Sequence, residues 1–361
     1  MLKSQRPMPA PRRCLTLLLA TMISLPAALA SVRPHPKTAS RGLVRIGRTG
    51  QPGNIVYLEA DVAKALHYFE DENLEVRFPI YGSGPLAAQA LSEGKVDFSC
   101  NSIDYAIRTR DTMRRLKMVA SFTNLPAVSL VVRRNLRSHV RSVQDLRGKR
   151  VGVSALGSGT HAIAASIFKS AGISLDAITF VAVGGGPNDM AAAFKRGEVD
   201  AAVSADPDAI RLLVDGDTYL LLDTVTYEET QRVFIGGYQF SGLLARVDVI
   251  SRRHELVQRV VNALIRASRF IDMHSAADIA AVLPASVVKD RYIFVKSLEH
   301  TRSAFAAGGL VTADAVENTI QSQKALGIVA IGAQLNPTDF FDMSFVTEAT
   351  RRKPEHPLGY R

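Results

Sequence analysis

A short segment rich in glycine and hydroxyl groups, Gly157-Ser158-Gly159-Thr160-His161, stands directly before a run with the apolar spacing of a helix. Exposed backbone N–H groups, the two hydroxyls and the positive end of the helix dipole would together favour an anion there. The same hydroxyls would also serve as ordinary helix caps. A second pair, Ser83-Gly84, precedes another predicted helix. The sequence therefore contains two turns with the character of anion-binding sites.

Other chemically reactive residues are few. The run Asp206-Pro207-Asp208 can hold a ligand amine or cap the following helix. His161 can face a ligand or be a solvent-exposed residue of the first helical turn. Cys100, at the end of a predicted strand, is typical of a small buried residue. The chain contains no G-x-S-x-G, H-E-x-x-H or C-x-x-C motif and no G-x-x-x-x-G-K-[ST] motif, and its stretch Gly47–Gly53 does not match G-x-G-x-x-G. We therefore expect no enzyme activity, no cofactor and no metal site.

The elements that position these residues alternate between strands and helices. Apolar runs separated by helical patterns form two β-α-β-α-β units, with predicted strands at Val44–Gly47, Leu74–Phe78 and Val96–Cys100, then at Lys149–Ser154, Ile178–Val183 and Val199–Val203. The two units repeat at the level of residues, since Leu91–Ser99 parallels Phe194–Ala202. The pattern predicts an α/β protein of two similar lobes, each with a sheet rich in parallel strands and flanked by helices.

The chain is expected to pass between the lobes twice, near Phe122–Ser129 and Ile235–Ser241. A strand-like run, Val233–Tyr238, and a long helix over about Leu256–Met273 follow the second unit. The predicted domains are a discontinuous first lobe (42–123 plus 236–345), a second lobe (124–235) and a flexible basic tail (346–361). The C-terminal helices are predicted to pad the first lobe.

The net charge of +10 lies at the two ends of the 361-residue chain, because residues 42–350 are neutral overall. A neutral body argues against a nucleic-acid partner.

Residues 1–30 have a basic start ending at Arg12-Arg13, an apolar run and the cleavage pattern Ala28-Leu29-Ala30, which predict a secretory signal peptide. Cys14 precedes the apolar run, so a lipoprotein is not expected, and residues 31–41 are predicted to be a disordered leader. Sec and twin-arginine export both remain open.

Ligands of open α/β sheets bind beyond the carboxyl ends of the strands. Here those ends come from both lobes, which predicts one cleft between them. The residues predicted to line it are Gln51, Gly53, Asn54, Ser83, Gly84, Asn101, Ser102, Phe122, Ser158, Gly159, Thr160, His161, Gly185, Asn188, Asp206 and Tyr238.

Several motifs resemble those of one family. They are Ile46-Gly47, Gly84-Pro85, Gly94-Lys95-Val96-Asp97, the run Asp145-Leu146-Arg147-Gly148-Lys149-Arg150-Val151-Gly152-Val153, and Gly197-Glu198-Val199-Asp200-Ala201. The chain thus resembles periplasmic solute-binding proteins of the nitrate/sulfonate/taurine type, also called NMT1/THI5-like, from about residue 43 to 275. The resemblance implies a type II-like two-lobed fold whose lobes close about a hinge of two crossings. It also implies that the closed form is presented to a membrane ABC permease.

The family commonly holds an anion with the loop matching 157–161 and the turn matching 82–84. This chain departs from the pattern, because it has no tryptophan and has Asp206-Pro207 where an aromatic residue is frequent. The departure favours a ligand that also carries an amine or a hydroxyl. The predicted function is a monomeric, periplasmic substrate-binding component of an ABC importer for a small organic solute, such as a sulfonate or carboxylate. A pyrimidine-synthase-like enzyme on the same fold and a periplasmic sensor module are the alternatives.

Overall fold

The computed structural model describes residues 42–186, 188–234 and 236–351, and in these residues the chain forms two β-sheets. The strands of the first sheet are β1 (Gly42–Thr49), β2 (Leu74–Arg77), β3 (Ile80–Tyr81), β4 (Phe98–Ser102) and β5 (Leu116–Ser121). The second sheet contains β6 (Val128–Arg133), β7 (Arg150–Val153), β8 (Thr179–Ala182), β9 (Ala201–Ala205) and β10 (Thr218–Asp223). A last strand, β11 (Ser241–Arg246), returns to the first sheet.

The two sheets have the same strand order. The first is β2-β1-β4-β11-β5 and the second is β8-β7-β9-β6-β10, so each strand of these two series has a counterpart in the other sheet. The short strand β3 pairs with β1 outside the series and has no counterpart among the described strands. In each sheet three neighbouring strands are parallel and the fourth, β11 or β6, is antiparallel to its neighbours. The chain enters the second sheet at β6 and returns to the first sheet at β11. The antiparallel strand of each sheet is therefore the first strand after a crossing from the other sheet. The predicted fold, two α/β lobes with parallel-rich sheets, is confirmed.

Helices cover the sheets. Those that precede β11 are α1 (Leu58–Ala65), α2 (Tyr68–Asp71), α3 (Gly84–Ser92), α4 (Asp104–Arg108), α5 (Gly159–Ser170), α6 (Asp189–Lys195), α7 (Asp208–Val214) and α8 (Tyr227–Thr230). Those that follow it are α9 (Val247–Arg252), α10 (His254–Met273), α11 (Ala276–Val282), α12 (Arg291–Thr301), α13 (Ala313–Ala325) and α14 (Ser344–Arg351).

The long helix α10 shows why the sequence folds in this way. Its apolar residues recur at helical spacing, and Val257, Val260, Val261 and Leu264 are all buried. They pack against α1 and α14, which closes the core on one face of the first sheet.

Two later helices, α12 and α13, contact the second lobe as well as the first. Helix α12 contacts α7, and α13 contacts α5. The C-terminal helices therefore touch both lobes, where we predicted that they would pad one.

The two connections between the sheets run side by side. One joins β5 to β6 through residues 122–127, and the other leads from β10 back to β11. The N–H of Tyr238 donates to the carbonyl of Asn124 at 3.1 Å, and the hydroxyls of Thr123 and Ser241 lie 2.8 Å apart. These bonds explain why the strand predicted over Val233–Tyr238 is absent from the described residues there. Tyr238 pairs with the other connection, and the N–H groups of Val233 and Phe234 donate to the carbonyl of Thr230, so these groups do not extend a sheet.

The predicted flexible tail over 346–361 begins inside a helix. Its first residues belong to α14, which places Phe345, Val346 and Ala349 in the core against α10. Burial of these side chains supplies the driving force that the sequence interpretation overlooked. The predicted signal peptide (1–30), the leader (31–41) and the rest of the tail lie outside the described residues. In the part of the chain that is described, no helix has both the length and the apolar character needed to span a membrane.

Candidate functional site

A cavity of about 100 Å³ lies where the carboxyl ends of strands from the two sheets face each other. We call it the chamber. The first lobe contributes hydroxyl, amide and glycine groups from Thr49, Tyr57, Ser83, Gly84, Asn101 and Ser102. The second lobe contributes Ser154, Ser158, Gly159, Thr160, Ser204 and Asp208, and Phe240 of the returning connection closes one wall. Among the described residues, no lysine or arginine lines the chamber.

The amino terminus of α5 forms the second lobe's side of the chamber. Ser158 is its N-cap, and its hydroxyl accepts a hydrogen bond from the His161 N–H at 3.3 Å. The Thr160 hydroxyl accepts from the Ser154 N–H at 3.1 Å and lies 2.9 Å from the Ser158 hydroxyl. The N–H groups of the first helical turn have no partner within the helix. This end of α5 can therefore donate several hydrogen bonds to one acceptor-rich group.

The amino terminus of α3 faces it from the first lobe. Ser83 is the N-cap but forms no capping bond with its own side chain, and Pro85 occupies the first turn. Asn101 of β4 fixes this turn, because its side-chain amide donates to the carbonyl of Gly84 at 3.0 Å. A Cβ atom at Gly84 would lie 2.6 Å from the Tyr105 hydroxyl, so only glycine allows this approach.

Gly159 allows a close approach between the two lobes. A Cβ atom there would lie 2.5 Å from the ring of Phe240 and 3.4 Å from Cβ of Ser102. The missing side chain lets the start of α5 pack directly against the connection between the lobes and against the end of β4. The geometry of the chamber thus depends on this glycine.

We expect the substitution Gly159→Ala to weaken solute binding about tenfold. The added methyl group must displace the Phe240 ring or hold the lobes apart, and overpacking of this kind costs about 1–3 kcal/mol. Calorimetric titration of the wild type and the variant with one solute measures the change. As a control, Gly332→Ala at an exposed glycine away from the chamber meets nothing within 4 Å and should leave the affinity unchanged. Equal affinity of Gly159→Ala and the wild type would contradict a closed chamber at this position.

Arg108 of α4 ties the glycine-rich loop of the second lobe to the first. Its guanidinium donates to the carbonyl of Gly157 and, through Nε, to the side chain of Gln323 at 2.8 Å. A weaker ion pair joins it to Asp104 at 3.6 Å. Sequence reasoning missed Arg108, because nothing local to α4 indicates that its partner lies in the other lobe.

Asp206 is buried and already has partners. One carboxylate oxygen accepts from the Ile210 N–H at 3.3 Å and so caps α7. The other lies 2.7 Å from Nδ1 of His300 and 2.7 Å from the hydroxyl of Thr301. Of the two roles that the sequence left open, capping is the one observed. The oxygen that was a candidate for a ligand amine is occupied by His300 and Thr301.

His300 links two acidic residues of the second lobe. Its Nδ1 and Nε2 atoms each lie 2.7 Å from a carboxylate oxygen, of Asp206 and Asp223 respectively. Burial by itself lowers the pKa of His300, but the hydrogen bonds and charges of the two aspartates outweigh it and raise the pKa from 6.5 to about 10. The imidazolium therefore neutralises part of the buried negative charge beside the cleft.

A larger cavity of about 410 Å³ adjoins the chamber and shares Gly50, Asn54, Gly185 and Asp208 with it. We call it the outer pocket. Its remaining walls include the predicted site residues Gln51, Gly53, Asn188 and Asp206, together with Arg211, Lys289 and Asp290. Arg211 and Asp290 approach each other at 3.5 Å. The two cavities together form one cleft, in which the chamber is the small end lined by hydroxyl groups and the outer pocket is the wider end lined by charged groups.

The structure brings most of the predicted site residues to these walls. Asn54, Ser83, Gly84, Asn101, Ser102, Ser158, Gly159, Thr160 and Gly185 line the chamber, and Gln51, Gly53, Asn188 and Asp206 line the outer pocket. Thr49, Tyr57, Ser154, Ser204 and Phe240 line the chamber but were not predicted. Asp208, which belongs to the run Asp206-Pro207-Asp208 that the sequence analysis considered for a ligand amine, also lines it. Thr49, Ser154 and Ser204 occupy or follow strand ends, so a complete survey of strand ends would have found them.

Three predicted residues do not belong to either wall. Phe122 and Tyr238 are fully buried in the core of the connections between the lobes. The Nδ1 atom of His161 accepts from the Gly157 N–H at 3.0 Å, and its ring packs edge-on against Phe180. Burial, and then the charge of Arg108, lower the pKa of His161. A neutral ring that supports the loop is the result, in place of the predicted ligand contact.

The family model described as NMT1/THI5 like matches residues 56–275. Among solved structures, the alkanesulfonate-binding protein SsuA from Xanthomonas axonopodis pv. citri bound to MOPS is similar at a TM-score of 0.67, with 20% identity over 85% of this chain and 100% of that one. The periplasmic nitrate-binding protein NrtA from Synechocystis PCC 6803 is similar at 0.66, with 11% identity over 85% and 88% of the two chains.

The same fold also occurs in an enzyme. The desulfurization enzyme DSZB is similar at a TM-score of 0.57, with 15% identity over 86% of this chain and 99% of that one. No curated protein sequence matches this chain significantly. At these identities the solved structures establish a shared fold, and the site has to be interpreted from its own residues.

Proposed function

Because the chain belongs to the NMT1/THI5-like family, we propose that it is the substrate-binding component of an ABC importer. It captures a small organic solute with a sulfonate, carboxylate or similar acceptor-rich group and delivers it to a membrane permease. We further propose that it works in the periplasm, to which the predicted signal peptide would export it. Similarity to sulfonate- and nitrate-binding proteins of the same fold supports a binding role.

The observation that carries the proposal is the pairing of helix amino termini across the chamber. The starts of α3 and α5 belong to different lobes and line the same 100 Å³ cavity. Each presents backbone N–H groups and the positive end of a helix dipole, which favour negatively charged or acceptor-rich groups. Serine, threonine and asparagine side chains supply further donors. Hydrogen bonds, rather than an ion pair with lysine or arginine, would then hold the solute's head group.

The mechanism follows from the contributions of the two lobes. A solute held only by α3 or only by α5 would not distinguish an open form from a closed one. A solute that contacts both binds the closed form more tightly and shifts the population toward it. We propose that the connections at 122–127 and 236–240 form the hinge, and that the lobes comprise residues 42–123 with 236–345 and residues 124–235. The closed form is then the one presented to the permease.

A thermal-shift screen tests the function directly. The screen contains alkyl and aminoalkyl sulfonates, carboxylates, nitrate and pyrimidines. At about 100 times its Kd, a solute that binds only the folded state adds about 2.7 kcal/mol, which for a chain of this size raises the melting temperature by about 5 °C. We expect such a shift with a sulfonate or carboxylate. A shift with pyrimidines alone would contradict the proposed solute class.

The similarity to DSZB keeps an enzyme on the same fold as the second candidate. Each compound that gives a shift is therefore incubated with the protein and recovered. Unchanged recovery is the result expected of a binding protein. Conversion of the compound over many turnovers would favour the enzyme instead.

A further inference from the structure

A third cavity, of about 480 Å³, lies on the first lobe between the end of β1, α1 and the segment that follows α11. We call it the side cavity. Most of its wall is apolar, and the apolar side chains include Phe78, Ile80, Val282, Leu283 and Val287. A cavity of this size, with an apolar wall and a few polar groups, is typical of sites that bind small organic molecules.

The side cavity is distinct from the cleft between the lobes. It shares no wall residue with the chamber, and Pro52 and Val287 face both it and the outer pocket. Gly53 packs tightly against the second of these, since a Cβ atom at Gly53 would lie 2.4 Å from the carbonyl oxygen of Val287. One layer of residues therefore stands between the two cavities, and a molecule in the side cavity would occupy a site of its own.

Arg48 is a buried cation on the wall of the side cavity, with only 1% of its surface exposed. Its Nη1 and Nη2 atoms donate to the carboxylate of Asp61 at 2.6 and 3.1 Å, and its guanidinium lies 5.7 Å from the centre of the Phe78 ring. Its Nε atom is buried and has no hydrogen-bond partner among the described residues. A buried donor without an acceptor is unfavourable, so an acceptor atom of a ligand would be stabilised at this position.

The other polar groups of the wall also offer donors. Lys64 donates to a backbone carbonyl at 3.1 Å and lies 3.5 Å from Glu70, which leaves one of its three N–H groups for a ligand. His67 and Ser286 are exposed parts of the same wall. Asp61 is the one carboxylate among the described wall residues, and its two oxygens already accept from its guanidinium partner and from the backbone. The wall therefore favours a ligand with an anionic, acceptor-only head group.

We propose that the side cavity is a second ligand site, which binds an amphipathic monocarboxylate. Asp61 and Lys64 lie three residues apart on α1, so Lys64 is a neighbour of the ion pair between Asp61 and Arg48. The ligand's carboxylate accepts from Nε of Arg48 and from Lys64, and its hydrocarbon part is buried against Phe78 and Leu283. Burial of the hydrocarbon supplies most of the affinity, and the two donors select the charge of the head group. This site is independent of the solute proposed for the cleft.

The first experiment varies the two ends of the ligand separately. Calorimetric titrations of the wild type use octanoate, octylammonium, which has the opposite charge on the same chain, and butanoate, which lacks four methylene groups. We expect octanoate to bind at least tenfold more tightly than octylammonium. Each buried methylene contributes a factor of about four, so butanoate should bind about 100-fold more weakly than octanoate. Equal affinities for octanoate and octylammonium, or no binding of octanoate at millimolar concentration, would overturn the inference.

Variants then locate the bound octanoate. Lys64→Gln, at a partly exposed position, should weaken it about tenfold. Lys296→Gln is the matched control, because Lys296 of α12 is exposed, also pairs with a glutamate and lies on none of the three cavities. It should preserve the affinity. Ala65→Phe should fill the cavity and abolish binding, and urea unfolding verifies that this variant is folded.

A last comparison separates this site from the proposed function. The chamber variant Ser158→Ala with Thr160→Ala should bind octanoate as tightly as the wild type does. If that variant loses octanoate while Lys64→Gln keeps it, the carboxylate binds in the cleft and the inference is wrong. The thermal-shift screen decides separately whether the cleft binds a solute, so either conclusion can fail without the other.

Discussion

The double substitution Ser158→Ala with Thr160→Ala should weaken binding of the best sulfonate or carboxylate about 100-fold. Both hydroxyls line the chamber at the amino terminus of α5, 2.9 Å apart. A hydrogen bond to a charged group contributes about 1.5–3 kcal/mol, so the loss of two such donors corresponds to roughly 3 kcal/mol or more. Calorimetric titration of the wild type and the variant gives the two affinities.

The control must account for the structural role of the same hydroxyls. Ser158 caps α5, so its loss costs about 1 kcal/mol of folding stability as well. Ser275 caps α11 in the same way, accepting from the Asp278 N–H, and lies on neither cavity wall. Ser275→Ala should lose similar stability and keep full affinity. If the double variant binds as tightly as the wild type, the chamber is not the solute site.

The substitution His300→Gln should lower the free energy of unfolding by about 3–5 kcal/mol at neutral pH. Asp206 and Asp223 are both buried, and removing the imidazolium leaves two carboxylates without their cation. Removing one partner of a buried ion pair typically lowers the free energy of unfolding by about 3–5 kcal/mol, because the other charge is left buried without a partner. Urea unfolding of the wild type and the variant measures the difference. His139→Gln should have little effect, because His139 is exposed and its ring contacts the Ser138 hydroxyl and, within the described residues, no carboxylate.

The contribution of His300 to the free energy of unfolding should decrease as the pH rises. The folded-state pKa of His300, about 10, exceeds the ordinary value of 6.5, so its contribution to stability is complete below about pH 6.5. It decreases as the pH rises through the interval from 6.5 to 10. The wild type should therefore lose more stability than His300→Gln between pH 6.5 and pH 10. Parallel pH profiles for the two proteins would contradict the charged bridge.

Much of the fold could be predicted because its signals are local. The alternation of strands and helices and the repeat between Leu91–Ser99 and Phe194–Ala202 predicted two similar lobes, and the strand orders agree. The start of α5 was likewise predicted from residues adjacent in sequence. The helix α14 was missed because its stability comes from packing against α10, about 80 residues earlier in the chain.

The electrostatics of the cleft could not be predicted in the same way. Whether Asp206 is free for a ligand depends on His300, which is 94 residues from Asp206 in sequence. Phe240 reaches the chamber because the returning connection lies beside α5, and Arg108 acts on the loop of the other lobe. Such contacts follow from the tertiary arrangement, and no local pattern of residue types encodes them.

Native mass spectrometry of the wild type and of Ser158→Ala with Thr160→Ala tests the central claim most directly. Each protein is incubated with the compound that gives the largest thermal shift and is then analysed at the same concentrations. The chamber between the lobes predicts one molecule of solute bound per chain in the wild type and loss of that species in the variant. The same one-to-one complex in both proteins would contradict it, as would the absence of a complex with every compound of the screen.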